Sequence, residues 1–167
     1  MGLYSCKMRN NWLFWMASFF ITKKSIGMDI KKLAIGTIAG AAVYFLLGYL
    51  FYGNLFADFF KKNSAGPLMG VDRADMIIWI IALGNIAHGA LLAYVFSKAN
   101  VSTLASGLMT GAVMGLLMSA GIDLIMYATT YLANKNAVMA DVGLVTVMSG
   151  VAGAVVALVM GMGKKAA

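Results

Sequence analysis

An aspartate inside an apolar run is the residue of this chain best placed to do chemistry. Asp123 sits in Gly121-Ile-Asp-Leu-Ile-Met-Tyr127. A carboxyl group at hydrocarbon depth is costly, so it points by default to a proton site, a cation site or an acceptor for a ligand donor. Tyr127 adds a phenol one turn further on. Asn85 and His88, three residues apart in another apolar run, add an amide and an imidazole. Together Asp123, Tyr127, Asn85 and His88 form a candidate intramembrane polar site. A structural alternative stands beside each. Asp123 can hold a contact between helices, with Tyr44, Tyr49 or Asn85 as its partner, and a single His is commonly hydrogen-bonded within a bundle. Counting residues along the helices offsets His88 from Asp123 by about 10 Å, which makes Asn85 the expected partner of the acid.

Other chemistry is thin. His88 is the only His, so a bis-histidine haem would need a second chain. Met114 and Met118, four apart, could face soft Cu(I), but Met also fills irregular apolar gaps. No Cys-x-x-Cys, His-x-x-x-His, Gly-x-Ser-x-Gly or phosphate-cradling motif occurs, and such motifs are what a metal, nucleophile or nucleotide site would need. No catalytic residue, cofactor or metal is expected.

The elements that must position these residues are membrane helices. Of 167 residues, 62% are hydrophobic and only 11% charged, against about a quarter charged in soluble domains. The six acids are all Asp. Apolar runs of roughly twenty residues, the length that crosses about 30 Å of hydrocarbon, lie at about 33–52, 76–96, 104–127 and 142–162. The expected fold is all-α: an integral membrane four-helix bundle over residues 28–167. The last span is taken to begin just after Asp141. The short Ser97–Ser102 connection predicts that the second and third helices are antiparallel neighbours.

Small residues recur every fourth position. Gly107, Gly111, Gly115, Ser119, Asp123 and Tyr127 form one series, and Gly36 and Gly40 open another. That spacing lets helix backbones approach closely in lipid. Each step of four drifts about 40° around a straight helix. Gly107 and Asp123 thus fall on nearly opposite sides, and the expectation is a glycine packing face followed by a separate polar site. A glycine face could also pair with a second copy.

Residues 1–27 differ in character. Trp12–Ile21 is aromatic and apolar but too short to span, and Lys23-Lys24 follows it without a cleavage motif. The segment reads as an N-terminal extension upstream of a natural start at Met28, with an interfacial helix or a signal anchor as alternatives. The net charge of +7 resides in pairs such as Lys31-Lys32, Lys61-Lys62 and Lys164-Lys165 at the ends of apolar runs. Such pairs set topology and touch anionic headgroups. The expected partners are therefore the lipid bilayer and a second copy or another membrane protein, and not nucleic acid. Counting Lys and Arg favours N- and C-termini in the cytoplasm.

The core from Met28 to Lys165 resembles a family of uncharacterised four-helix bacterial membrane proteins, a domain-of-unknown-function family. The likeness rests on Gly48-Tyr49-x-x-Tyr52-Gly53, Gly84-Asn85, Ala93-Tyr94-Val95-Phe96 before Lys98-Ala99, the glycine series ending in Asp123-x-x-x-Tyr127, Ala140-Asp141 and Val147-Met148-Ser149. It implies four spans and a cell inner-membrane location, and no activity. Two functional expectations follow from the residues. The first is a small structural or interaction protein; the second is an oligomeric permease or proton-coupled channel with an intramembrane Asp/Asn/Tyr site.

Overall fold

In the computed structural model, residues 29–64 and 75–162 are described. The expectations for residues 1–27 and for the Lys164-Lys165 pair fall outside them. Helix α1 spans Ile30–Leu50 and runs on through a π-helical turn at Phe51–Leu55; a short α2 covers Ala57–Asn63. Helices α3 (Ile78–Ala99), α4 (Leu104–Thr129) and α5 (Lys135–Gly161) follow. Four of these segments are long and apolar enough to cross a membrane, which makes this an all-α bundle of the membrane type. Their outer faces carry the apolar side chains that lipid requires, among them Ile38, Leu46, Trp79, Leu117 and Ile125.

The helix starts have local causes. Asp29 accepts from the backbone N–H groups of Lys31 and Lys32, neutralising free donors at the start of α1. Thr103 and Ser106 cap α4 reciprocally. Asn100 closes α3 at φ 56°, a left-handed conformation that Asn tolerates better than branched residues.

The start of α5 corrects the expected span at 142–162. Asn134 accepts from the N–H of Ala137, and the helix begins at Lys135. A good cap thus sets the boundary where hydropathy alone had placed it seven residues later. Asp141 is consequently not at the helix mouth but about 9 Å inside it. Asn134 also ties α2 to α5, because its Nδ2 donates to Asn63 Oδ1 at 2.9 Å and its N–H to the Asn63 carbonyl at 3.0 Å.

Two close seams hold the bundle. Along the first, α1 meets α3 where Gly40 lies beside Gly89: a Cβ built on Gly40 would stand 3.0 Å from the Gly89 Cα, and one on Gly89 would strike the Thr37 carbonyl oxygen. The second joins α4 to α5. A Cβ on Gly107 would meet Gly153 and Ala157, one on Gly111 would meet Ser149 and Gly153, and one on Gly115 would meet Ser149 and Val145. Each pairing moves four residues up one helix and four down the other, a constant antiparallel register. On α5 the matching series is Asp141, Val145, Ser149, Gly153 and Ala157. One step beyond Ser119, the register brings Asp123 to Asp141.

This overturns the expectation that the glycines and the acid serve different neighbours. Gly107, Gly111, Gly115, Ser119 and Asp123 are the buried residues of α4, and they form one line. The 40° drift was reckoned for a straight helix by itself. A partner carrying the same four-residue period follows the drifting row, since patterns longer than 3.6 residues wind helices right-handedly about each other.

A further correction concerns α3 and α4. Their short connection makes them antiparallel, but α3 packs chiefly on α1 and α4 on α5, while α1 and α5 join the two pairs. Between α3 and α4 stand His88, Leu91, Met114, Met118 and Ile122, which line a gap instead of a seam.

Candidate functional site

Asp123 and Asp141 come from facing turns of α4 and α5, each about 9 Å from the end of its helix that lies away from the termini. Both residues line one cavity between the helices. Tyr52, in the π-helical turn after α1, donates its hydroxyl to Asp141 Oδ1 at 2.5 Å. Single π turns are frequent at functional sites because the extra residue re-aims nearby side chains. Asp123 is 7% exposed, and its Oδ2 has no hydrogen-bond partner.

Asp123 helps to line a cavity of about 210 Å³, together with Tyr44, His88, Ser119, Asp141 and Ser149. Toward the middle of the bundle the polar groups satisfy one another. Tyr44 donates to Ser149 Oγ at 2.8 Å, and Ser119 donates to the Gly115 carbonyl at 2.8 Å. The Tyr44 and His88 rings lie 5.5 Å apart and tilted. A polar column therefore descends from Tyr52 through the two acids to mid-depth. Below it, toward the termini, Leu92, Ala93, Phe96, Val156, Ala157 and Met160 close the core with apolar packing.

No family model matches this chain, and no curated protein or solved structure matches it.

The four residues singled out from the sequence separate in space. Asp123 and His88 line the same cavity, from α4 and α3. Asn85, the expected partner of Asp123, instead donates to the Ile81 carbonyl of its own helix at 2.9 Å. His88 places Nδ1 3.1 Å from the Gly84 carbonyl. Tyr127 is 47% exposed and borders a separate surface recess with Lys62, Asn63 and Tyr131. It falls off the buried row because α5 has reached its own first turns there and, among the described residues, no other helix covers that side. Tyr52, Asp141, Tyr44 and Ser149 were missed as site residues. A signal existed for two of them, since Asp141 and Ser149 share the four-residue series of α5. Among the described residues, no three of His, Cys, Asp and Glu gather in a way that could hold a metal ion.

Proposed function

We propose that the protein is a small permease or proton-coupled channel of the bacterial inner membrane, in which Asp123 and Asp141 alternately hold a proton and a cation. The observation that supports this reading is the buried Asp123, whose Oδ2 has no hydrogen-bond partner, in the lining of a cavity shared with a second acid, Asp141. An unsatisfied buried acceptor costs about 1–3 kcal/mol, and more when charged. A structural role would be better served by a satisfied contact such as Tyr44–Ser149. The apolar plug of Phe96, Val156 and Met160 closes the terminus-side half, so transport requires a second state in which that half opens. The alternative role, adhesion through glycine faces, has less support, because Gly36, Gly40, Gly107, Gly111 and Gly115 already meet neighbouring helices within the chain.

The reading is tested in proteoliposomes carrying a pH gradient and an internal pH dye. Wild-type protein is expected to dissipate the gradient, and Asp123→Asn to slow it at least tenfold. Equal rates for the two would remove the proposal. The excess of Lys and Arg on their side supports cytoplasmic termini. A C-terminal fluorescent-protein fusion should therefore glow in cells, and a C-terminal alkaline phosphatase fusion should be inactive.

A further inference from the structure

The cavity at the acid pair has an unusual mouth. Its rim residues His88, Leu91 and Ile122 are exposed, and all three stand well inside their helices. His88 is about 15 Å from the start of α3, and Ile122 about 10 Å from the end of α4. At that depth the surroundings are hydrocarbon, about 30 Å thick. The gap between α3 and α4 thus opens sideways into lipid. Its walls, Leu91, Leu92, Met114, Met118 and Ile122, are apolar, and unbranched Met side chains adapt to the shape between them. Only the end that holds Asp123 and Asp141 is acidic.

We infer that the cavity takes a small lipophilic amine in its protonated form, entering from the bilayer between α3 and α4. This rests on the reading of the acid pair as an exchangeable cation site and names its ligand class. Three observations choose this class. The orphan Asp123 Oδ2 is an acceptor and requires a donor, which an ammonium N–H supplies and a quaternary nitrogen does not. A hard inorganic cation would want six or more oxygens, whereas this pocket offers two carboxyls, the His88 ring and the hydroxyls of Tyr44, Ser119 and Ser149, which are engaged within the protein, among apolar walls. Its volume of about 210 Å³ lies below the 300–1,000 Å³ of drug-sized sites, so the apolar part is about one ring or a short alkyl chain. The Tyr44 ring lines the same cavity, and an aromatic face attracts a cation.

The probe is radiolabelled phenethylammonium, measured by equilibrium dialysis against the protein in nanodiscs, with empty nanodiscs subtracted. Saturable binding is expected, weakened at least tenfold by Asp123→Asn and by Met118→Trp, which narrows the cavity and leaves both acids in the chain. Neutral 2-phenylethanol should not compete, and neither should sodium or potassium ions. Competition by the alcohol, or binding indifferent to both substitutions, overturns the inference. If sodium displaces the amine stoichiometrically, the site is an inorganic-cation site and the amine assignment fails while the proton-coupled reading stands. If amine binding is seen but the pH-gradient assay shows no difference for Asp123→Asn, the transport reading fails and the ligand class survives.

Discussion

Gly111→Val is expected to be the most destabilising single substitution in this chain. The Cβ would meet the Ser149 carbonyl oxygen and stand 3.0 Å from the Gly153 Cα. Both are backbone atoms of α5, so neither can rotate aside as a side chain would. The helices must separate along the whole seam, which runs on to Gly107 on one side and to Gly115 on the other. Overpacking of this kind costs about 1–3 kcal/mol, and more where the backbone cannot yield. In lipid there is no large hydrophobic term to compensate, because close packing is itself what holds helices together. Gly121 is the control on the same helix, with no atom within 4 Å of an added Cβ. Gly121→Ala should be neutral or slightly stabilising, as Gly in a helix is worse than Ala by about 0.5–1 kcal/mol. Thermal unfolding in detergent reads both. A Gly111→Val protein melting with the wild type would mean that α4 and α5 are not apposed as described.

The second large effect lies at the acid pair. Asp141→Asn keeps the shape of the side chain and keeps an oxygen to accept from Tyr52, so the fold should persist. What changes is the proton. An amide offers Asp123 a permanent donor, and the pair loses a group that can take up or release charge. Proton flux is therefore expected to fall at least tenfold, as for Asp123→Asn. The double variant should be no worse than either single one, because groups that act as one unit give non-additive losses. Losses that multiply would show two independent sites, and wild-type flux in Asp141→Asn would remove Asp141 from the mechanism. Near-identical melting temperatures across the three variants would separate these outcomes from misfolding.

The two predictions concern one feature from opposite ends. The glycines of α4 set how near α5 comes, and that approach carries Asp141 to Asp123. A defect at Gly111 should consequently reach the acid pair about 18 Å away along the helix. The tight half of the bundle positions the polar half.

The sequence shows only part of this. The four spans were legible because each is a run of apolar residues near twenty long, and no tertiary contact is needed for such a run to prefer lipid. Asp123 stood out for the same reason, as a charge-bearing group at hydrocarbon depth. The four-residue spacing on α4 was visible too, but its consequence was misjudged because one helix was reckoned straight and alone. The start of α5 was hidden by Lys135, Asn136 and Asp141, polar residues that hydropathy assigns to a loop. A capping Asn and a neighbouring helix let them begin the span instead.

What the sequence by itself determined is thus the solvent of each residue: which segments face lipid, and which polar groups are stranded among them. That follows from local composition and period. Only the tertiary structure decided the partners. Tyr44 finds Ser149 across 105 residues, Tyr52 finds Asp141 across 89, and Asp123 shares a cavity with Asp141 and not with Asn85. Pairing between helices depends on register and on which two of four helices leave a gap. Those are properties of two surfaces at once, and one helical pattern read singly does not contain them.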